Sequence, residues 1–171
     1  MRVERLGPHH AVANFDCGVK ALDAWLSNHA LENQRRNLSR TFVLISDTDE
    51  AVGYYSLTMG GVSSTDLPNR LGRGLPNYDN GMVLLARLAL VRRVQCQGLG
   101  RDLMVDAILH ASAAGHNAAA RFIAVDPIDQ SARGFYKAFG FRDIQDDQQR
   151  RMYLRIDEAL AALDEGLGAN E

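Results

Sequence analysis

Lysine is nearly missing from this chain: of its 19 basic residues only Lys20 and Lys137 are lysine, and the rest are arginine. Cysteine is scarce as well. Cys17 and Cys96 are the two, and their separation makes neither a metal-ligand spacing nor a disulfide framework. The five histidines, His9, His10, His29, His110 and His116, show no ligand spacing, so no metal is expected. No apolar run approaches the length of a membrane span, and the first ten residues, MRVERLGPHH, contain no signal-peptide core. A soluble cytoplasmic protein with no membrane contact is expected. There is no internal repeat, which excludes solenoids and arrays.

At 171 residues and 46% hydrophobic composition, residues 1–163 read as one domain with a sizeable core and residues 164–171 as a frayed tail. The net charge of -2 excludes a globally basic nucleic-acid binder. The arginines cluster, however: Arg35, Arg36 and Arg40, Arg70 with Arg73, Arg92 with Arg93, and Arg150 with Arg151. Arginine binds phosphate and stacks on bases better than lysine does. Converging clusters would hold a polyanion, while a solvated surface explains any single arginine equally well.

The chain is organised around residues 84–101, LLARLALVRRVQCQGLGR. Residues 82–90 are almost continuously apolar, broken only by Arg87, as in a strand covered on both faces. A Gln95-x-x-Gly98-x-Gly100 turn follows, and Leu103, Met104, Ala107, Ile108 and Ala111 then recur at helical spacing. Glycines before a helix let several backbone N–H groups converge, and the first four N–H groups of a helix lack internal partners. With the helix dipole they form an anion site suited to phosphate. A Rossmann loop would need a further glycine, and a Walker loop a Lys followed by Ser or Thr, where this chain has Arg101 and Asp102. The glycines alone leave a ligand-free strand-turn-helix link equally open.

A second motif lies in DPIDQSARGFYKAFGF, residues 126–141, after the apolar run 121–125. It reads as strand, turn, helix, glycine, strand. Asp129 caps the helix, Ala132, Phe135, Tyr136 and Phe139 form its apolar stripe, and Gly140 stops it. For Tyr136 core packing and a chemical role are both open at this point.

Elsewhere the pattern predicts an edge strand at 2–6, a loop at 8–15, a helix at 18–30 continued by a polar piece at 31–36, and a hairpin of strands 41–46 and 52–59. Residues 60–81, with five glycines and two prolines, read as a long functional loop. A last strand at 151–156 and a closing helix at 157–163 complete the chain.

The two motifs resemble the GNAT acetyltransferase superfamily. Gln95, Gly98 and Gly100 match its pyrophosphate loop, and Asp129, Ala132, Phe135, Tyr136, Gly140 and Phe141 match its Phe-Tyr segment. The resemblance implies an α/β (α+β) fold with a central mixed, mostly antiparallel sheet and helices on both faces. Within the superfamily, FDCGVKALDAWL (15–26), RTFVL (40–44), VGYYSL (52–57) and LARLAL (85–90) are similar to the acetyltransferase toxins of bacterial toxin-antitoxin modules. Those toxins acetylate aminoacyl-tRNA and pair with ribbon-helix-helix antitoxins, and the resemblance implies the same here, together with a homodimer and DNA contact only through the antitoxin. Val91 and Cys96 depart from the pattern, which commonly has Asp and Gly at these places.

By the same resemblance, acetyl-CoA lies between strands 84–90 and 121–125, its pantetheine arm on the backbone of Leu88, Ala89 and Leu90. Its pyrophosphate meets the N–H groups of Gln95, Cys96, Gln97, Gly98, Leu99, Gly100 and Arg101, and Asp129, Ala132 and Phe135 complete the cofactor contacts. Tyr136 is the implied general acid for the departing thiolate. No residue is an obvious general base. An α-amine, titrating at about 7.7 to 8.0, needs less help than a lysine near about 10.4, which favours an α-amine acceptor. Arg35, Arg36, Arg92 and Arg93 would hold tRNA phosphates. A small amine or protein N-terminus as acceptor, or a non-catalytic CoA-binding module, are the alternatives.

Overall fold

The computed structural model describes residues 1–67, 69–143 and 151–168. In chain order its elements are β1 (Arg2–Arg5), α1 (Lys20–Asn28), α2 (Ala30–Arg35), β2 (Arg40–Ile45), β3 (Ala51–Ser63), α3 (Asn69–Gly72), β4 (Asp79–Leu90), α4 (Leu99–Asn117), β5 (Ala120–Val125), α5 (Gln130–Lys137), β6 (Arg142–Asp143), β7 (Met152–Arg155) and α6 (Ile156–Gly168). The strands form a seven-stranded sheet in the order β1-β2-β3-β4-β5-β7-β6. It is mixed: β4 and β5 are parallel, while β1–β2, β2–β3, β5–β7 and β6–β7 are antiparallel. A parallel pair needs a long crossover, and α4 supplies it. Among the described residues no helix is long and apolar enough to cross a membrane.

The chain falls into two compact units, Met1–Thr58 with Ala86–Ala107 and Met59–Leu85 with Ile108–Glu171. In the first, β3 opens with seven consecutive buried residues, the mark of a strand covered on both faces. Tyr54 and Tyr55 are fully enclosed there, and Phe15 and Trp25 pack on the Tyr54 ring at centroid distances of 5.3 and 6.1 Å. The expected single helix 18–30 is interrupted at His29, whose backbone (φ -127°, ψ -29°) ends α1 and starts α2. In the second unit Val62, Leu67, Leu71, Met82, Phe122, Ala124 and Tyr153 form one core.

The expected loop at 60–81 is a correction. β3 continues to Ser63, a single turn spans Ser64–Asp66, α3 follows, and β4 begins at Asp79. Two of its glycines are not turn signals: Gly60 and Gly61 lie inside β3, and a Cβ on Gly60 would stand 2.8 Å from the tip of Met82, whereas Gly74 (φ 79°) does sit in a turn. The closing helix, α6, runs to Gly168 rather than ending at 163, so the expected tail is helical up to that residue, and 169–171 lie outside the described residues.

Candidate active site

The first unit carries the loop between β4 and α4. Pairing of β4 with β5 runs from Gly81 to Leu85, and β4 continues to Leu90. Leu88 is half-buried, while Ala89 and Leu90 are buried. Val91 N–H donates to the Val52 carbonyl (2.9 Å) and Arg92 N–H to the Asp16 carbonyl (3.0 Å), which anchors the chain as it leaves the strand. The Gln95 side-chain amide donates to two backbone carbonyls, Cys17 (2.9 Å) and Leu90 (2.8 Å). Gln95 is therefore a clamp that holds the loop against the strand end.

Beyond the clamp the backbone turns left-handed twice, at Cys96 (φ 59°) and Gly98 (φ 85°). That explains why glycine suits position 96: a side chain disfavours this conformation. The Gln95 N–H donates to the Arg92 carbonyl (3.3 Å) and the Arg101 N–H to the Gly98 carbonyl (2.8 Å). These two expected donors are thus engaged. Between them, the N–H groups of Cys96, Gln97, Gly98, Leu99 and Gly100 have no protein acceptor among the described residues, and they open onto the N-terminus of the 19-residue α4. Consecutive free amides at a long helix's positive end suit a pyrophosphate.

Of the four arginines expected to hold tRNA, Arg35 at the end of α2 and Arg36 just after it are exposed, with no ion pair among the described residues. Arg92 and Arg93, also exposed, pair with Asp16 (3.2 Å) and Glu50 (2.6 Å). Solvent-exposed pairs of this kind are weak enough to exchange for phosphate. Arg150 and the side chain of Arg70 lie outside the described residues.

The second unit carries the Phe-Tyr helix. Asp129 caps α5, its carboxylate accepting the Ala132 N–H at 2.7 Å, and α5 then presents Phe135 and Tyr136. Asp129 and Ala132 therefore meet each other in the cap. The Tyr136 ring is held edge-on by Phe135 (5.5 Å) and Phe141 (5.7 Å). The other buried tyrosines use their hydroxyls: Tyr54 donates to the Leu22 carbonyl (2.9 Å), Tyr55 to Asp106 (2.5 Å), and Tyr153 bonds with Arg151. Tyr136 is 9% exposed as a residue, and its hydroxyl has no hydrogen-bond partner among the described residues. Burial first, and the Asp126 charge second, push it up to about 12, so it stays protonated throughout the neutral range.

Sequence reasoning missed Asp126. It stands one residue beyond β5, and Arg151 grips it with both ends of its fork, Nε at 2.7 Å and Nη2 at 2.8 Å. Only the placement of an acid at a strand end beside the Phe-Tyr segment hinted at it. The structure also gathers Glu4, His9 and His10, whose ligand atoms lie within 4.8 Å of one another despite their lack of ligand spacing. The Gly7 N–H donates to His10 Nδ1 (2.9 Å), so the proton of the neutral ring sits on Nε2, facing Glu4 at 3.4 Å. His10 then has no lone pair to offer, and the trio is a hydrogen-bonded turn.

The sequence matches the model of the acetyltransferase (GNAT) family over residues 10–141. A tRNA-acetylating toxin of Mycobacterium tuberculosis is 35% identical over 153 residues, covering 90% of this chain and 91% of the toxin. Among solved structures, AtaT complexed with acetyl-methionyl-tRNAfMet superposes with a TM-score of 0.86 at 23% identity, over 95% of this chain and 98% of AtaT. A mutant AtaT toxin bound to the C-terminus of the antitoxin AtaR and acetyl-CoA superposes with a TM-score of 0.79 at 22% identity, over 95% and 97%. The two structures establish the fold. Family and curated relative, matched along most of the chain, establish the rest: this protein belongs to the GNAT acetyltransferase family.

Proposed function

We propose that the protein is an acetyl-CoA-dependent N-acetyltransferase that acetylates the α-amino group of aminoacyl-tRNA, and so acts as a translation-blocking toxin. The observation that carries the chemistry is the buried Tyr136 side chain, its hydroxyl unpartnered among the described residues and held protonated. The acceptor rests on the 35% identity to a tRNA-acetylating toxin. A single catalytic domain over residues 1–163 is part of this proposal.

The amides of residues 96–100 take the cofactor pyrophosphate, and the backbone of Leu88, Ala89 and Leu90 takes the pantetheine arm. The acceptor amine attacks the thioester carbonyl, its nitrogen–carbon bond forms, and the carbon–sulfur bond breaks. Tyr136 gives its proton to the departing sulfur and is reprotonated from water, while the amine loses its own proton to solvent. Arg35, Arg36, Arg92 and Arg93 contribute phosphate contacts that position the RNA. A ribbon-helix-helix antitoxin holds the enzyme in check, DNA is reached only through it, and the active form is a cytoplasmic homodimer. The AtaT complex with AtaR supports an antitoxin partner.

The test is acetyl transfer from labelled acetyl-CoA to charged tRNA, uncharged tRNA, spermidine and a lysine peptide. Label is expected on charged tRNA alone, falling about 100- to 10,000-fold in Tyr136→Phe. Label on spermidine or peptide instead overturns the acceptor, and an undiminished Tyr136→Phe overturns the acid.

A further inference from the structure

Arg87 interrupts the most apolar strand of the chain. It lies on β4, the fourth strand of seven, where pairing with β5 has ended at Leu85. Ala86, Arg87 and Leu88 are half-buried there, between buried Leu85 and buried Ala89. The Arg87 guanidinium stacks on Trp25, with its Cζ 3.9 Å from the ring centroid. Trp25 is itself stacked on Tyr54, at 6.1 Å and 15°. The guanidinium therefore lies over one face of a stacked aromatic pair.

Among the described residues no carboxylate pairs with Arg87 and no acceptor takes any of its five N–H donors. The other arginines of this unit near acids are matched: Arg2 with Glu4 and Asp49, Arg92 with Asp16, Arg93 with Glu50. A half-desolvated cation with an aromatic face beside it but no hydrogen-bonding or ion-pair partner among the described residues is costly to keep unless something else binds it. Partial burial lowers its pKa, the direction expected of a cation that lacks an anion.

We propose that Arg87 is a specificity residue that binds a phosphate of the acceptor RNA, the one adjoining the aminoacylated 3′ nucleotide. This rests on the aminoacyl-tRNA reading above. A planar fork stacked on one face still offers its edge, and that edge matches two oxygens of a phosphodiester. The cofactor pyrophosphate is not the occupant: Arg87 lies three residues, roughly 10 Å, before the end of β4, and the anion loop begins only after a further turn. Near the acyl end, the closest anion to the reacting amine of charged tRNA is the phosphate of its terminal nucleotide. Polyamines and lysine peptides carry only cations there, which Arg87 repels.

The experiment compares wild type, Arg87→Met, which keeps an unbranched chain on Trp25, and Arg87→Lys, which keeps the charge without the fork. Each is assayed with charged tRNA and with methionine methyl ester, an α-amine ester that has no phosphate, and urea midpoints check that each variant folds. Arg87→Met should raise the charged-tRNA KM about 10- to 100-fold and reduce the salt dependence of log KM by about one contact. The kcat, the acetyl-CoA KM and the rate with the ester should stay within about threefold, and Arg87→Lys should recover part of the loss. Equal losses on both acceptors, or an Arg87→Met KM for charged tRNA equal to that of an active wild type, overturns the assignment alone. If wild type does not label charged tRNA, the acceptor reading has failed and the Arg87 assignment falls with it.

Discussion

Cys96 and Gly98 sit two residues apart in the anion loop, both left-handed, with φ of 59° and 85°. Cys96→Gly and Gly98→Ala should therefore shift stability in opposite directions. A side-chain-bearing residue in this conformation costs about 1–2 kcal/mol, and a glycine gives back about 0.5–1 kcal/mol of that through its greater backbone entropy loss on folding. Cys96 is exposed, so removing its side chain loses no packing. The net expectation is a gain of about 0.5–1 kcal/mol for Cys96→Gly. A Cβ at Gly98 would meet nothing within 4 Å, so Gly98→Ala isolates the same backbone quantity with the opposite sign. For a chain of this length each kcal/mol moves Tm by about 2–4 °C, giving shifts of about 1–4 °C in each direction. Thermal unfolding followed by circular dichroism resolves that, with Cys96→Ala, which keeps the Cβ, as the control that should not move. Gly98→Ala should also raise the acetyl-CoA KM, because the neighbouring amides must re-aim to relieve the strain. A lower Tm for Cys96→Gly, or a Gly98→Ala protein unchanged in both Tm and KM, would refute the left-handed loop.

Asp126→Asn tests the electrostatics of the acid. Tyr136 can act only while protonated, and Asp126 opposes its ionisation, so removing that charge should move the alkaline limb of the kcat–pH profile to lower pH. Burial is the larger cause, so the limb should remain above the ordinary tyrosine value of about 10, and a limb that does not move removes Asp126 from the account. Asp129→Ala removes the side-chain cap of α5 and should cost about 1 kcal/mol, a Tm loss of about 2–4 °C in urea-free thermal scans, with Asp129→Asn restoring most of it.

Some of this was legible because it is local. The apolar run 82–90, the turn at Gln95, Gly98 and Gly100 and the helical spacing after it predict a strand, a turn and a helix, and the structure has β4, the loop and α4 there. Asp129 three residues before Ala132 is a cap within one turn of chain, and it forms. Residues 60–81 were misread for the same reason in reverse. Glycine and proline counts describe local freedom, whereas Gly60 and Gly61 are held in β3 by strand pairing and by the Met82 and Asp79 side chains beside them.

What the sequence by itself determined is therefore the family and the order of most elements, since each motif and each element depends on residues within a few positions of one another. The tertiary structure alone decided which partner each of those residues meets. Gln95 became a clamp because Cys17, 78 residues away, presents its carbonyl there. Asp126 drew Arg151 from 25 residues away, Arg93 drew Glu50 from 43, and Arg87 was laid on Trp25 without a counter-ion among the described residues. Hydrogen bonds and charges act over a few ångströms of space, and separation along the chain carries no record of which residues folding will bring that close.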